Sequence, residues 1–317
     1  MSPVNQKTLP VSVITTCFGR NTHLYNLLAS LATASAIPDE VIIVNDDADA
    51  KVLASFGLNI KQIPTKSTAA DGRFDIGCNR NLGAAAATHE AMIFLDVDCL
   101  VANNFVESFF NRLTSHPNAL LMGQPRYLTR PLSKMESRQL KQGKLTMATL
   151  NRLSILNPYR FNFSPQSYEN TAEQADKGVM PSQDYGAFWS LCFAIYREQF
   201  KKIGGFDTAY IGYGAEDTDF AFMAKKLGIA FYLTNDLVYH QQHSVHRPPI
   251  NHLDSIVVNA NRFYHKWQHW PMAAWLSEFA QLRFIHWSAE QSQAIKIQNA
   301  PTQADIEAAH QPDAPFI

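Results

Sequence analysis

Phe94-Leu95-Asp96-Val97-Asp98 decides how the rest of the chain is read. The apolar run Ala91 to Leu95 stops abruptly at two carboxylates separated by one valine. A run this short, bounded by polar residues, reads as a buried β-strand rather than a helix. In an open α/β sheet, ligands bind beyond the carboxyl ends of the strands, so Asp96 and Asp98 are expected at the rim of a site. An extended Asp-x-Asp would present both side chains on one side of the chain. Hard oxygen donors of this kind suit Mg²⁺ or Mn²⁺, above all when a diphosphate completes the shell. Taken alone, the same pattern also describes a solvated turn at a strand end.

The flanking sequence repeats the theme. Val11-Ser12-Val13-Ile14-Thr15-Thr16 is β-branched and predicts the first strand, with Cys17 to Asn21 as a loop. Leu24, Leu27, Leu28 and Leu31 recur at helical spacing within His23 to Ala32. Glu40 to Val44 is a second strand ending in Asn45-Asp46-Asp47, Asn59 to Ile63 a third, and the alanine-rich stretch Gly77 to His89 a helix leading into the Asp96 strand. Beyond Asp98 the pattern predicts a helix over Asn104 to Leu113 and a strand over Ala119 to Gly123. Strand–helix alternation with polar residues at successive strand ends implies an α/β fold, a mostly parallel sheet flanked by helices.

Residues 124–183 lose clear periodicity apart from a polar helical stretch near 133–152, which predicts a long functional loop or lid. Ala187 to Tyr196 is strand-like, Gly204-Gly205-Phe206-Asp207 a turn, Ala215 to Leu227 an amphipathic helix and Ile229 to Thr234 a strand. Then come His240, His243, His246 and His252, a tryptophan-rich helical region over 250–290, and a polar tail from Gln291 expected to be mobile.

Composition narrows the function. The 317 residues allow one large domain or two closely packed ones, and with 46% hydrophobic and 17% charged residues the chain can bury a sizeable core. A net charge of −1 without long like-charge runs argues against a nucleic-acid partner. Cys17, Cys78, Cys99 and Cys192 are scattered, with no Cys-x-x-Cys pair, so reduced thiols are expected. With no secretory signal and no apolar stretch of the roughly 18–20 residues a membrane span needs, a cytoplasmic location is expected, with peripheral membrane contact open. Neither Gly-x-Gly-x-x-Gly nor a P-loop pattern occurs, so any nucleotide must be bound largely by side chains.

Two blocks carry a family resemblance. Arg80-Asn81-Leu82-Gly83, followed by alanines and then Phe94-Leu95-Asp96-Val97-Asp98, is similar to the "Arg-Asn-x-Gly … Phe-Leu-Asp-x-Asp" block of the family 2 inverting glycosyltransferases. Val44-Asn45-Asp46-Asp47 matches that family's "Val-Asp-Asp-Gly" in part, with Asn for the first Asp and Asp47 for Gly. Gly204-Gly205-Phe206-Asp207 and Gly212-Tyr213-Gly214-Ala215-Glu216-Asp217-Thr218-Asp219 resemble the C-terminal part of the β-1,4-galactosyltransferases, which have Trp for Tyr213 and Gly for Ala215. The resemblance covers roughly residues 10–270 and implies a GT-A fold. It divides the chain into a nucleotide-sugar-binding half (1–123), an acceptor-binding and catalytic half (124–250), and C-terminal helices with a polar tail (251–317).

The resemblance also implies roles. Asp98 would be a direct metal ligand and Asp96 would meet the ribose or a metal-bound water. His243, in a His-Ser setting like that of the galactosyltransferases, would be the second ligand, and His240 a third. The metal would be Mn²⁺ or Mg²⁺, with a solvated histidine loop or a zinc site as alternatives. Thr15, Thr16, Asp46, Asp47, Asn81 and Val97 fall among the nucleotide-sugar contacts, with Asp46 or Asp47 left open as the acid that meets base or ribose. Arg20 and Arg80 could clamp the diphosphate bidentately or form ordinary salt bridges. Asp217 would be the general base, kept ionised by the positive end of its helix, with Glu216 holding an acceptor hydroxyl; the alternative is N-terminal capping by Glu216, Asp217 and Asp219. Tyr213, Gly214 and Trp189 would face the acceptor, although Trp189 could equally be core. Phe263, Tyr264, Trp267, Trp270, Trp275 and Trp287 read as packing or as a face toward lipid or a partner. The expected activity is transfer from a nucleotide-sugar, UDP-linked by resemblance, to a saccharide or glycoconjugate in polysaccharide biosynthesis. A sugar-phosphate nucleotidyltransferase, which should show a glycine-rich basic loop where Cys17-Phe18-Gly19-Arg20 stands, and a non-catalytic binding protein on the same fold are the rivals.

Overall fold

The computed structural model describes residues 6–66, 75–159 and 178–316. The chain opens with β1 (Lys7–Thr16), α1 (Asn21–Ala32), β2 (Ala36–Val44), α2 (Ala50–Ala54), β3 (Ile60–Ile63), α3 (Ile76–Ala86) and β4 (Ala91–Leu95). After the acidic turn come β5 (Cys99–Val101), α4 (Phe105–Ser115), β6 (Ala119–Leu128), α5 (Lys134–Lys141), α6 (Met147–Arg152) and β7 (Ser154–Leu156). β8 (Val179–Ser182), β9 (Cys192–Tyr196), α7 (Arg197–Ile203), α8 (Glu216–Lys226) and β10 (Ala230–His240) complete the sheet. The remainder is β11 (Val245–His246), α9 (Leu253–Trp267), α10 (Ala273–Gln281), α11 (Gln303–Ala309) and β12 (His310–Gln311).

The sheet runs β3-β2-β1-β4-β9-β6-β10-β5, with β7 beside β6 and β8 beside β10. β1, β2, β3, β4, β6 and β10 point one way, while β9, β5, β7 and β8 are reversed. The sheet is thus mostly parallel, as expected. Alternate residues of one strand feed opposite faces: Ile93 and Leu95 pack with the leucines of α1 and the Phe105–Phe109 face of α4, whereas Met92 and Phe94 pack with Phe200, Phe206 and Phe220. Burial on both sides explains why the strand reads as an unbroken apolar run. Phe94 and Phe193 stack at 4.4 Å between ring centroids, and Phe206 on Phe220 at 4.5 Å.

Gly83 brings α3 against β1. A Cβ there would fall inside contact distance of the Ile14 side chain. Gly83→Ala is therefore expected to lower unfolding stability by about 1–3 kcal/mol, read as a fall in the urea midpoint; an unchanged midpoint would show that the helix simply moves away.

Several elements differ from the sequence-based expectation. The polar stretch near 133–152 is two helices separated at Gly143, whose φ of +65° breaks the run. Strand β9 starts only at Cys192, because 185–187 form a 3-10 turn. The tail is built into the fold. Ile295 and Ala309 are buried against α9 and α10, a capping box between Thr302 and Asp305 starts α11, and β12 pairs antiparallel with β11. Its few apolar residues are too widely spaced to show a period. The polar part of region 124–183 falls partly on residues 160–177, outside the described residues.

Candidate active site

The carboxyl ends of β1, β2 and β4 meet at one edge of the sheet. Thr15 and Thr16 finish β1, both buried, and the Thr15 hydroxyl has no hydrogen-bond partner among the described residues. Asn45 ends β2 and accepts from the backbone N–H of Asp47 (3.1 Å) and Ala48 (2.6 Å). It is a turn builder, which leaves Asp46 and Asp47 exposed beside it. Asp46 accepts from the Thr65 N–H at 2.9 Å.

The two carboxylates after β4 part company. Strand geometry stops at Leu95, and a turn closed by Cys99 N–H donating to Asp96 carbonyl (2.9 Å) replaces the expected extended Asp-x-Asp. Val97 is buried between them. Asp98 is enclosed, its side chain 6% exposed: Oδ1 lies 3.4 Å from His240 Nε2, and Oδ2 lies 3.4 Å from His243 Nε2 and 2.6 Å from Arg20 Nη1. One ligand atom from each of Asp98, His240 and His243 can be chosen so that all lie within 4.8 Å of one another.

Sheet register makes this cluster. β10 runs antiparallel to β5 with His240 opposite Cys99, hence beside Asp98. Gln241 then donates its backbone N–H to the Asp98 carbonyl (2.6 Å), while its side-chain oxygen accepts from Asn26 of α1 (2.8 Å). Burial works to raise the Asp98 pKa, but His240, a hydrogen bond with His243 and the Arg20 charge pull it well below the usual carboxylate range. Burial lowers the His240 pKa against the opposing charge of Asp98, favouring the neutral imidazole. An ionised carboxylate and a neutral imidazole, each directed at the same point, form a donor set that fits a divalent cation. His246 and His252 lie elsewhere, one facing His310 and the other stacked on Tyr213 at 4.7 Å.

A second acidic cluster begins α8. Gly212, Gly214 and Ala215 have φ of +83°, +91° and +73°, and this left-handed stretch turns the chain so that Glu216 and Asp217 point inward. Arg80 bridges Asp96 and the start of α8, 2.7 Å from Asp96 and 3.8 Å from Glu216. It is itself buried and takes the salt-bridge alternative with Asp96, because carboxylates desolvated together require a cation among them. No side chain caps α8, so capping does not account for its acids. Asp219 is engaged separately by Lys266 (2.9 Å), Trp267 Nε1 (2.7 Å) and the Tyr210 hydroxyl (3.1 Å), tying α9 to α8.

Burial raises the Asp217 pKa, with Arg80 and the Thr218 N–H opposing. Desolvation is thus the largest influence on this carboxyl. Burial, and then the Asp217 charge, push Glu216 up to about 7. An acid with a raised folded pKa contributes most stability below its unfolded pKa, and that contribution is lost as pH rises through about 7. Glu216→Gln is thus expected to melt about 3 °C above the wild type at pH 8, with no gain at pH 5. Equal gains at both pH values would mean that Glu216 titrates normally.

The remaining expected residues divide. Tyr213 stacks between His252 and Trp275, and a Cβ on Gly214 would lie 2.5 Å from Met272 Sδ, so this segment is pressed against the C-terminal helices. Asn81 turns away from the strand ends: it donates to the Phe206 carbonyl (2.8 Å) and accepts from the Phe206 N–H (2.9 Å), fastening the Gly204-Gly205 turn. Trp189 is not core. It is 36% exposed and lines a cleft of about 410 Å³ with Gln124, Asp184 and Thr234. The aromatic stripe packs inward, with Phe263 and Trp270 buried. All four cysteines are buried and none is in a disulfide, and among the described residues no helix is long and apolar enough to cross a membrane. Gln241 and Asn26 were not legible as site residues, because they meet across 215 positions of sequence.

Residues 12–170 match the glycosyl transferase family 2, and residues 176–254 match the domain described as the N-terminal domain of galactosyltransferase. Chondroitin synthase of Pasteurella multocida (strain Pm70) is 24% identical over 253 residues, taking in 76% of this chain and 26% of that protein. Chondroitin synthase of Escherichia coli is 23% identical over 245 residues, 73% of this chain and 34% of that one. The chain thus spans about a quarter to a third of these relatives' length. Among solved structures, GalNAc-T7 with UDP, GalNAc and Mn²⁺ aligns with a TM-score of 0.50 at 16% identity, over 88% of this chain and 57% of that one, and shares its GT-A fold. Half of the chain carries the first of these matches, a span that includes β2, β4 and most of β1, and the protein accordingly belongs to glycosyl transferase family 2.

Proposed function

We propose that the protein is a metal-dependent, inverting glycosyltransferase that moves a sugar from a UDP-sugar to a hydroxyl of a saccharide or glycoconjugate during polysaccharide synthesis. The observation that carries this reading is the convergence of Asp98, His240 and His243 on one point after β4, with buried Arg80 linking the neighbouring Asp96 to Glu216 at the start of α8. Support comes from the family, from the chondroitin synthases among its relatives, and from the UDP and Mn²⁺ held by the GalNAc-T7 structure.

In this reading residues 1–123 bind the donor, 124–250 hold acceptor and base, and 251–317 brace the acceptor side. Asp98, His240 and His243 would hold Mn²⁺ or Mg²⁺, which when bound would neutralise charge developing on the departing diphosphate. Arg20, half exposed on the same carboxylate, can turn to the phosphates, and Thr15, Thr16, Asp46, Asp47 and Asp96 line the path to base and ribose. Trp189 offers a flat face to a sugar ring, and the Tyr213-Gly214 segment shapes the acceptor side. Glu216 positions the acceptor hydroxyl. Asp217 takes its proton as the oxygen attacks the anomeric carbon and the bond to the diphosphate breaks, so one displacement inverts that carbon without a covalent enzyme intermediate. A carboxylate whose pKa is raised by burial is a stronger base than an ordinary one, provided it is ionised at the working pH.

The test is a panel of UDP-, GDP- and dTDP-sugars with Mn²⁺, Mg²⁺ or chelator, read by melting temperature and by release of free nucleotide. Ligands that bind the native state raise its melting temperature. A shift with one UDP-sugar, abolished by chelator, is expected and names the donor. No shift with any nucleotide-sugar in either metal would return the protein to a non-catalytic role.

A further inference from the structure

The histidines of the cation site are held unequally. His243 Nδ1 is hydrogen-bonded to the Ser244 carbonyl at 2.9 Å, which fixes that ring and leaves Nε2 toward Asp98. His240 has no such restraint: its Nδ1 is buried and without a hydrogen-bond partner among the described residues. Metal-binding histidines ordinarily have the second nitrogen held by an acceptor, and that contact sets the orientation of the ring. For His240, packing must do so instead.

Besides the His243 imidazole at 5.3 Å, two rings contact it. Tyr127 of β6 is tilted against it at 5.5 Å, and Phe316 stacks on it at 4.7 Å and 16°. Phe316 also lies 5.0 Å from His243, so one phenyl ring touches both imidazoles. Phe316 is brought there by a strap that leaves β12. The buried Gln242, between the two histidines, donates to the carbonyls of Pro312 (2.7 Å) and Ala314 (3.2 Å), and Arg247 donates to the Pro315 carbonyl. The β11–β12 ladder fastens the start of the strap to the segment that carries the histidines.

We propose that the strap over 312–316 is a wall of the cation site, and that Phe316 is a positioning residue that holds the His240 imidazole for ligation. This rests on the reading of Asp98, His240 and His243 as holding a divalent cation. Without the phenyl ring, His240 can rotate away from Asp98, and the site loses a pre-oriented donor. Phe316 touches no reacting atom.

The experiment measures Mn²⁺ binding to the full chain directly, by the loss of the free-ion electron paramagnetic resonance signal, without donor present. Phe316→Ala is expected to weaken Mn²⁺ binding about tenfold, and Phe316→Tyr to restore it. Turnover of Phe316→Ala should recover to within about twofold of wild type once Mn²⁺ is saturating, because positioning acts on cation affinity and not on the base. Gln242→Ala, which frees the strap without changing the ring, should shift affinity in the same direction and serves where Phe316→Ala does not fold. Mn²⁺ affinity equal to or tighter than wild type in these variants would overturn the proposal. Asp98→Asn separates the two levels of the argument. If it abolishes binding while Phe316→Ala does not weaken it, the cation site stands and the strap is incidental; if the wild type takes up no Mn²⁺, the cation reading itself fails.

Discussion

Asp217→Asn is expected to lower kcat by about 1,000-fold while changing cation and donor affinity by no more than about twofold. The substitution keeps the shape of the side chain, and the amide oxygen can still accept the Thr218 N–H that Asp217 accepts at 2.7 Å. What disappears is the site that receives the proton. The loss should therefore fall on kcat and kcat/KM alike, as for an interaction made only in the transition state. The pH profile gives a second readout. Burial raises the Asp217 pKa, so the wild-type rate should climb with pH along an acid limb lying above the ordinary carboxylate range. In Asp217→Asn the residual rate should lose that limb. Normal turnover in this variant would refute Asp217 as base, and a larger loss in Glu216→Gln would transfer the role to its neighbour.

Asp98→Asn is expected to remove the chelator-sensitive part of the activity, lowering kcat/KM by about 1,000-fold. The two imidazoles beside it carry no negative charge, so the amide variant has no anion to hold a divalent cation. Folding should survive, because the partner left behind is Arg20, whose side chain is 42% exposed and stays hydrated. Cation binding and thermal unfolding measured on one preparation decide the matter. A folded Asp98→Asn protein that keeps its Mn²⁺-dependent donor shift would place the cation elsewhere.

The fold was legible wherever apolar runs ended in polar residues. Val11 to Thr16, Glu40 to Val44 and Ala91 to Leu95 are buried on both faces, and such strands announce themselves without partners. The site was legible where local spacing carries the chemistry, as in Asp96-Val97-Asp98 and His240-x-x-His243. It was obscure where burial and long-range contact decide. The same Arg-Asn pair in sequence gives Arg80 and Asn81 opposite tasks, one turned to Asp96 and Glu216 and the other locked on the Phe206 backbone. No local pattern distinguishes them. The burial that raises the Asp217 pKa is equally invisible locally, since desolvation is a property of the neighbours and not of the helix. The tail carries no local signal of its packing, because Ile295 and Ala309 become core only once α9 and α10 are in place.

The bulge in β10 has a consequence for how this site can be lost. Between Leu233 opposite Met122 and Leu237 opposite Gln124, β10 carries Thr234, Asn235 and Asp236 against the single Gly123 of β6. Everything downstream inherits its facing from that count. Deleting one of the three would advance the strand by one position, put Gln241 in the slot beside Asp98 and turn His240 to the opposite side of the sheet. In a lineage of such genes, the frailest point for cation binding is therefore the length of a stretch that supplies no ligand, and a single lost codon there would undo what many ordinary replacements nearby would spare.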